Sequence, residues 1–488
     1  MTRWIVRGVW AAVLIFSTVV IGGAMDARRR LPDLEPWHRH APQDATASEL
    51  ERATLSDYLQ REDAVFRDVH DRIERTSAGS ATPPANRYDT RSRSFPSRLG
   101  SDWNRTHEVL PDGEITGGAL LVHGLTDSPY SMRAVSETLK ARGYYSLALR
   151  MPGHGTVPAG LVTAVWEDWI AAVRVGVRHV RETIGPDKPL VLVGYSNGGA
   201  LVLKYALDGV ERGDPSPPAR IALISPMIGV APFAWMARVI SLLGPVPYFE
   251  RARWLDVMPE YNPFKYNSFP ANAAVQSWRL TTEVQAQVLR LGKAGRLKEL
   301  PPLIAFQSLV DATVSTDAVV HALFDQLDGN GSELVVFDIN RLSGLEPFIE
   351  PSAATLLFRL TDRSSRRYGR SLVTNADRNS LEVVERSIRA DRTEIETRPL
   401  GLAWPREMFS LAHIALPFPI DDDIFGSQPR PSSLDVVRLG TLSPRGERAV
   451  LTVPIDTLMR VSCNPFFPYL AERLTAWTDA ATIAGKQR

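Results

Sequence analysis

The sequence has a single cysteine, Cys463, among 488 residues. One thiol excludes an intramolecular disulfide framework and a cysteine-rich zinc site in any compartment. An excess of one charge is also lacking, because 56 lysines and arginines stand against 55 aspartates and glutamates. A net charge of +1, with no basic stripe of interleaved aromatics, argues against nucleic-acid binding. The 44% hydrophobic content is that of a globular protein large enough for one or more sizeable cores.

One long uncharged run is present, from Gly8 to Met25, and arginines flank it on both sides. About 20 apolar residues span a bilayer, whereas the apolar part of a cleavable signal is usually about 7 to 15 residues long. Residues 1–30 are therefore predicted to form a membrane anchor in a bacterial-type inner membrane, with the protein facing the periplasm. Cleavage after the small residues Gly22 and Ala24 would instead give a secreted protein. The alternative is a hydrophobic helix packed on the domain itself.

Residues 31–113 are predicted to form an N-terminal helix and a linker arm. Apolar residues recur every three or four positions between Leu55 and Ile73, which indicates one amphipathic helix packed on the main domain. The segment from Thr76 to Trp103 is rich in Ser, Thr, Pro and Arg and has little apolar content, which is typical of a linker or a surface arm.

From about Glu114, short apolar runs alternate with helical periodicity. The candidate strands are Gly118–His123, Tyr145–Arg150, Leu190–Gly194, Ile221–Pro226, Leu303–Gln307 and Glu333–Asp338. Several are almost continuously apolar, as expected for parallel strands covered on both faces. Repeated strand–helix–strand units predict a doubly wound, mostly parallel α/β sheet. Ligands bind such sheets beyond the carboxyl ends of the strands.

One strand is followed by the sequence Gly194-Tyr195-Ser196-Asn197-Gly198, and then by a segment that can form a helix. Gly-x-Ser-x-Gly between a strand and a helix is the nucleophile-elbow pattern, in which small flanking residues allow a sharp turn that exposes the serine hydroxyl. The following helix has free amides that favour the negative charge developing in acyl transfer. The alternative is a glycine-rich turn without a catalytic role.

Two further motifs extend this pattern. His123-Gly124-Leu125-Thr126-Asp127 follows the first apolar strand, and Arg150-Met151-Pro152-Gly153-His154-Gly155 follows the next. With the serine motif they resemble the α/β-hydrolase family over about residues 118–314, and more closely its monoacylglycerol lipase, lysophospholipase and carboxylesterase branch. The resemblance implies that the backbone amides of Leu125 and Asn197 form the oxyanion hole. It also implies that His123 and His154 shape loops; the alternative, that either is the catalytic base, conflicts with the Ser, Asp, His order of this fold.

A catalytic acid is expected after a later strand. Asp311 follows the run Leu303–Gln307, in a segment that resembles the acid loop of the family. Asp338, at the end of the next strand, is the alternative, and Asp317 falls in a predicted helix as a surface or capping carboxylate. We therefore expect Asp311 to orient the catalytic histidine.

Two histidines follow Asp311. His321 lies in an apolar helical stretch, where packing is the usual role of a histidine, whereas His413 lies in a loop-like run. His413 is therefore the predicted base. The sequence departs from the family here, because the usual histidine follows the strand after the acid, while His413 comes 102 residues after Asp311. An insertion over residues 342–405 is inferred from this spacing.

The predicted organisation is a core over residues 114–228 and 301–341, completed by residues 406–488 with the histidine loop and a terminal helix. Residues 229–300 correspond to the helical cap that the family carries, with apolar residues that include Phe233, Trp235, Met236 and Leu243. The cap can hold an acyl chain and exclude water. The arginine-rich run 363–370 is interpreted as a solvated face, with lipid phosphates as the alternative. No metal site and no cofactor are predicted.

These patterns favour a serine hydrolase that cleaves carboxylic esters through an acyl-enzyme, with Ser196 as nucleophile, His413 as base and Asp311 as its orienting acid. The resemblance favours lipid-like monoesters such as monoacylglycerol or lysophospholipid. A thioesterase, acyltransferase or peptidase would use the same residues. A non-catalytic binding protein on the same fold is the alternative from another class, and it predicts that His413 lies far from Ser196.

Overall fold

The computed structural model describes residues 2–75, 85–214, 216–229, 246–349, 351–362, 364–443 and 451–485. The apolar cap residues predicted between Phe233 and Leu243, part of the predicted linker (residues 76–84) and Arg363 lie outside these ranges. The strands are β1 His107–Val109, β2 Gly117–Val122, β3 Tyr144–Leu149, β4 Leu190–Tyr195, β5 Arg220–Ile224, β6 Trp254–Asp256, β7 Phe269–Pro270, β8 Leu303–Ser308, β9 Glu333–Phe337, β10 Gly369–Asn375, β11 Glu382–Ile388 and β12 Glu396–Ala403.

Ten of these strands form one sheet in the part of the chain that the structure describes. Its order is β1-β3-β2-β4-β5-β8-β9-β10-β11-β12. The strands from β3 to β10 run parallel, whereas β1, β11 and β12 pair antiparallel to their neighbours. The six strands predicted from apolar runs are β2, β3, β4, β5, β8 and β9, each within two residues of its predicted bounds. The mostly parallel α/β fold is therefore confirmed.

The longer helices are α1 Thr2–Arg30, α2 Leu55–Val69, α3 Arg133–Lys140, α4 Trp166–Ile184, α5 Asn197–Arg212, α6 Ala271–Lys293, α7 Pro351–Thr361 and α8 Phe467–Gly485. Short α-helical pieces are Pro36–Arg39, Ala47–Leu50, Gly160–Thr163, Thr316–Ala318 and Ile455–Leu458. Short 3-10 and π segments are His70–Glu74, Pro96–Leu99, Pro129–Met132, Pro247–Arg253, Leu297–Glu299, Val319–Leu323, Phe324–Gln326, Arg341–Ser343, Glu346–Phe348, His413–Ala415 and Leu439–Thr441.

Local signals account for where several helices begin and end. Thr54 precedes α2 and its hydroxyl accepts a hydrogen bond from the backbone amide of Asp57, whose carboxylate accepts one from the Thr54 amide. This reciprocal pair satisfies two amides that the first helical turn leaves free. The chain leaves α3 through Gly143, whose φ of 80° is strained for any residue with a Cβ.

Helices cover both faces of the sheet because successive residues of each strand point to opposite sides. On β2, Leu120 and Val122 join the core beneath α4 and α5, whereas Ala119 and Leu121 join the core beneath α3 and α8. All four side chains are fully buried. The carboxyl ends of the central strands therefore meet at one edge between two packed layers, where ligand sites of such sheets form.

The last turn of α1 and the residues after it pack on the protein. Ala27 and Leu31 are buried in a cluster with Trp254 and Val257 of the cap region, and Arg251 donates hydrogen bonds to the backbone of α1 and of Leu31. Among the described residues, no helix is both long enough and apolar enough to cross a bilayer. This finding gives no support to the predicted membrane anchor over residues 1–30. Val20 and Ala24 in the second half of α1 are buried as well, whereas Trp10 and Leu14 in its first half are exposed.

The predicted insertion over residues 342–405 contains three strands that extend the sheet. β10 continues it in parallel beside β9, and β11 and β12 then fold back antiparallel. Within the run 363–370, Arg366 and Arg370 both pair with the carboxylate of Asp362, which lies directly before the run.

Candidate active site

Ser196 lies between β4 and α5 with a φ of 54° and a ψ of −117°. A positive φ is costly for a residue with a Cβ and persists only where the surroundings enforce it. The flanking glycines make the turn fit, because a Cβ on Gly194 would overlap the Gly198 carbonyl and a Cβ on Gly198 would overlap the Val122 carbonyl. The backbone therefore turns sharply at the serine, as the elbow pattern predicts.

The structure brings Ser196, His413 and Asp311 together. His413 Nε2 lies 2.9 Å from Ser196 Oγ, and His413 Nδ1 lies 2.8 Å from Asp311 Oδ2. An ionised carboxylate only accepts hydrogen bonds, so the proton of the neutral imidazole belongs on Nδ1 and Nε2 accepts from the serine hydroxyl. The side chains of His413 and Asp311 are 4% and 0% exposed. This arrangement has the geometry of a serine nucleophile with its base and orienting acid.

Asp311 is held as an anion. Burial opposes its ionisation, but the neighbouring His413 and the backbone amides of Val314 and Thr313 outweigh burial and lower its pKa below the ordinary value. The two amides donate to Oδ1 at 3.0 and 2.8 Å, and Gln307 donates to Oδ2 at 3.1 Å. Ser225 also donates to Oδ2, at 3.3 Å. These bonds fix the carboxylate against the imidazole.

The two amides predicted for the oxyanion hole belong to segments beside the serine. Gly124 lies so close that a Cβ there would be 3.1 Å from Ser196 Cβ, and Leu125 follows it. Asn197 is the first residue of α5. In the described part of the chain, neither the Leu125 nor the Asn197 amide donates to another protein atom. Both amides are thus free to bind an oxygen beside Ser196.

His123 and His154 lie behind this site. His123 Nε2 accepts a hydrogen bond from the Met151 amide at 3.0 Å, and its Nδ1 lies 2.8 Å from the Gly124 carbonyl. Burial lowers the pKa of His123 well below its usual range, and burial lowers that of His154 to about 3. The rings contact each other edge to face at 5.1 Å. Both are neutral groups that tie the two loops together.

The alternative acids and base bind elsewhere. Asp338 is buried, pairs with Arg341 at 2.6 Å and accepts from Thr374 at 2.7 Å. His321 lies in the π segment Val319–Leu323, with Nδ1 2.7 Å from Asp325, and Asp317 is exposed beside it. Asp311 and His413 are thus the pair that lies beside Ser196.

The chain returns to the end of β9 before it presents His413. The Asn340 amide donates to the Phe409 carbonyl at 2.7 Å, and its side chain donates to the Met408 carbonyl at 3.1 Å. Ser308, the last residue of β8, donates to the Leu411 carbonyl at 2.8 Å. The segment that contains β10–β12 therefore begins and ends close to Asn340. This explains how His413, which is distant from Asp311 in sequence, lies beside it.

A cavity of about 470 Å³ opens beside Ser196 and His413. Its apolar lining includes Leu125, Met227, Leu255, Phe269 and Ile414, which suits an acyl chain.

Two cationic side chains, Lys265 and Arg460, also line this cavity. The sequence analysis missed both, because neither stands in a motif and they come from the cap region and the C-terminal part. Among the described residues, no group of three or more His, Cys, Asp or Glu side chains is arranged to hold a metal ion.

Residues 119–341 match the alpha/beta hydrolase family. This match covers the elbow, the loop after β2 and Asp311. Over these residues the chain is similar to α/β-hydrolases, as the resemblance predicted from the sequence implies.

Similar proteins include a thermostable monoacylglycerol lipase from Bacillus sp. (strain H-257), 27% identical over 175 residues, which are 36% of this chain and 65% of that protein. The match thus spans slightly less than two thirds of the relative's length. Among solved structures, a monoglyceride lipase variant from Saccharomyces cerevisiae is 16% identical, with 48% of this chain and 82% of that chain covered and a TM-score of 0.36. The monoacylglycerol lipase of Paleococcus ferrophilus is also 16% identical, with 48% and 89% covered and a TM-score of 0.36.

Proposed function

We propose that this protein is a serine hydrolase that cleaves carboxylic esters through a covalent acyl-enzyme on Ser196. The observation that carries the proposal is the hydrogen-bonded chain from Ser196 through His413 to Asp311, beside a largely apolar cavity. An isolated serine hydroxyl is a weak nucleophile, and this chain supplies the base that activates it.

In the first half of the reaction, Ser196 Oγ attacks the ester carbonyl carbon while His413 Nε2 takes the hydroxyl proton. The carbonyl oxygen becomes an oxyanion, which the Leu125 and Asn197 amides bind as donors. Asp311 stabilises the imidazolium that forms without itself taking the proton. The imidazolium then protonates the leaving alkoxide, the carbon–oxygen bond breaks, and the acyl group remains on Ser196.

In the second half, a water molecule replaces the alcohol. His413 takes one proton from that water, and the hydroxide attacks the acyl carbon to form a second tetrahedral intermediate. Its collapse returns the proton to Ser196 Oγ and releases the carboxylic acid. Deacylation therefore uses the same groups as acylation in the reverse order of steps, with water in place of the alcohol.

We further propose lipid-like monoesters, such as monoacylglycerol or lysophospholipid, as substrates. The apolar residues of the cavity suit an acyl chain, and the relative from Bacillus is named a monoacylglycerol lipase. A thioesterase, acyltransferase or peptidase would use the same chemistry on Ser196 and differs in the group that leaves or attacks. A purely binding role predicts a distant histidine, whereas His413 Nε2 lies 2.9 Å from Ser196 Oγ.

The test is turnover of p-nitrophenyl esters of increasing chain length by the wild type and by Ser196→Ala and His413→Ala. We expect kcat to fall by a factor on the order of 10⁴ or more in each variant, because the three groups act as a unit. Thioesters and peptides measured in parallel separate the alternative reactions. If wild-type protein that is folded turns over no ester, the ester hydrolase proposal is wrong.

The location of the protein is a separate proposal. A membrane anchor over residues 1–30 that faces the periplasm, or a secreted form cleaved after Ala24, follows from the uncharged N-terminal run. Cell fractionation with determination of the N-terminal residue tests it. A full-length protein in the soluble fraction would contradict both forms.

A further inference from the structure

Two cationic side chains, those of Lys265 and Arg460, line the same cavity as Ser196 and His413. Lys265 follows Phe264 in the cap region, and its Nζ lies 3.5 Å from the Leu125 carbonyl oxygen. Leu125 also carries one of the amides proposed to bind the oxyanion. Arg460 comes from the C-terminal part of the chain and donates a hydrogen bond to the Thr313 hydroxyl at 2.7 Å.

Neither cation is neutralised by direct contact. Among the described residues, no carboxylate oxygen lies within 4.0 Å of the Lys265 or Arg460 nitrogens, whereas most arginines near the core have such a partner, as Arg150 has in Asp44. The nearest anions are engaged otherwise. Asp311 is bound by His413, and Asp127 accepts a hydrogen bond from the Ser128 backbone amide.

Burial makes the charge of Lys265 costly without a partner, whereas Arg460 is exposed. Burial lowers the pKa of Lys265, Asp127 opposes this effect, and Arg460 lowers the pKa further because the two positive charges repel. Burial raises the pKa of Asp127 to about 6, with Lys265 acting in the opposite direction. The cavity wall thus carries two basic side chains, and the carboxylate that acts on Lys265 is that of Asp127. A buried charge without a close counter-ion, such as that of Lys265, is rare unless a ligand supplies one.

We propose that Lys265 and Arg460 bind an anionic group of the substrate, so that the preferred ester is a single-chain acyl ester with a phosphate on its alcohol part. This inference rests on the proposed ester hydrolysis and selects among its substrates. The apolar residues Met227, Leu255 and Phe269 take the acyl chain, and the two cations take the charged head. Guanidinium and ammonium groups are the usual partners of phosphate oxygens.

The experiment compares two esters of equal chain length, 1-dodecanoylglycerol and 1-dodecanoylglycerol 3-phosphate, below their micelle concentrations. For the wild type we expect kcat/KM to be higher for the phosphate ester by about tenfold or more, which is the usual effect of charge-assisted hydrogen bonds. This preference is expected to shrink as ionic strength rises, because the cavity is open to solvent at Arg460.

The variants are Lys265→Met and Arg460→Gln, singly and together. We expect each to lower the ratio of kcat/KM for the phosphate ester to that for the neutral ester by about tenfold, and the pair to lower it further. Arg460→Glu is expected to lower the ratio more than Arg460→Gln. The exposed Lys298→Met and Arg392→Gln, outside the cavity, serve as matched controls that leave the ratio unchanged.

The outcomes distinguish the two proposals. A merely structural role for Lys265 would lower kcat/KM for both esters in equal proportion, and an equal effect of Arg460→Gln on both would overturn the inference. A wild type that prefers the neutral ester to the phosphate ester would also overturn it. So would a wild type that prefers a hemisuccinate ester, whose negative charge lies on the acyl part, to the phosphate ester. Absence of turnover with every ester would overturn the proposed hydrolysis itself. Arg460 is exposed, so its variants test the inference even if Lys265→Met fails to fold.

Discussion

Ser196 owes its position to the glycines on either side of it, and this dependence is measurable at Gly198. A Cβ at Gly198 would overlap the backbone carbonyl oxygens of Val122 and His123, which are not the ends of flexible side chains and cannot rotate away. We expect Gly198→Ala to lower the free energy of unfolding by about 2–4 kcal/mol and to reduce kcat at least a hundredfold. Gly113→Ala, with nothing within 4 Å of its Cβ, is the matched control. Denaturant unfolding and ester kinetics check both.

Asp311 acts on the reaction through His413, so its removal is expected to leave Ser196 in place but poorly activated. We expect Asp311→Asn to reduce kcat by a factor on the order of 10⁴, because the imidazole loses the partner that fixes its tautomer. KM should change much less, since Asp311 does not contact the acyl chain. A variant that raised KM and left kcat unchanged would contradict the assigned role.

The same carboxylate makes a pH-dependent contribution to stability. Its pKa is lower in the folded protein than its ordinary value of 3.8, so the stabilisation is complete above that value and is lost as the pH falls through the lower folded pKa. We expect the thermal midpoint of the wild type to fall more steeply than that of Asp311→Asn below about pH 4. Equal slopes would mean that the contacts of Asp311 do not favour its charged form.

At the scale of elements, the loop that carries His413 is held by contacts with the end of β9. The Asn340 side chain accepts a hydrogen bond from the Leu342 amide at 3.2 Å and donates one to the Met408 carbonyl at 3.1 Å. It therefore joins the two ends of the segment that contains β10–β12. We expect Asn340→Ala to destabilise the protein by about 1–3 kcal/mol and to lower kcat with little effect on KM. The exposed Asn379→Ala is the control. An unchanged kcat would show that the loop is positioned by other contacts.

The elements that could be predicted from sequence are those with local signals. Strands β2, β3, β4, β5, β8 and β9 are apolar runs, and α2 falls in the segment from Leu55 to Ile73 where apolar residues recur every three or four positions. Strands β10 and β11 were not predicted, because they are stabilised by pairing with β9 and with each other rather than by an apolar run. Residues Glu385 and Arg398, for example, pair across β11 and β12 at 3.0 Å. Polar pairs of this kind depend on register, which a single sequence does not reveal.

The residues of the candidate site also differ in whether a local sequence signal predicts them. Ser196 is marked by its own neighbours, whereas the approach of His413 depends on Phe409 meeting Asn340, a contact between distant segments. His413 was chosen by exclusion of His321 and by the order of residues in the family. Lys265 and Arg460 had no local signal, because what unites them is a cavity formed by separate parts of the chain.

At the scale of the whole molecule, the segment before β1 that contains Asp44, Tyr58 and Glu62, here called the N-terminal arm, is packed on the core. Arg150, fully buried after β3, pairs with Asp44 at 2.8 Å and with Glu62 at 3.1 Å, and both partners come from the segment before the sheet. Tyr58 of α2 donates to the Arg150 carbonyl at 2.5 Å. These buried contacts join the arm to the loop that carries His154. Ala27 and Leu31, which follow the apolar N-terminal run, are likewise buried, and the composition of the run alone does not indicate this packing.

Removal of the Arg150 charge would leave Asp44 and Glu62 buried without a counter-ion. We expect Arg150→Met to lower the free energy of unfolding by about 3–5 kcal/mol. Burial raises the pKa of Asp44, but Arg150 and the Gly153 and Ala45 amides outweigh it, so the folded pKa lies below its usual value. The deficit of the variant should therefore shrink as the pH falls and Asp44 takes up a proton.

Unfolding of wild type and Arg150→Met between pH 8 and pH 4 checks this expectation. The control is Arg389→Gln, which removes an exposed pair with Glu396 at 3.1 Å and should cost less than about 1 kcal/mol. A deficit for Arg150→Met that stays constant with pH would show that the arm is held by packing and not by these charges.

The central claim is that Ser196 is a nucleophile activated by His413. The most direct measurement is reaction of the full-length protein with a fluorophosphonate, followed by mass spectrometry of the modified peptide. We predict one adduct per chain, located on Ser196, absent in Ser196→Ala and slowed by orders of magnitude in His413→Ala. Folded wild-type protein that forms no adduct, or an adduct on another residue that persists in Ser196→Ala, would contradict the account.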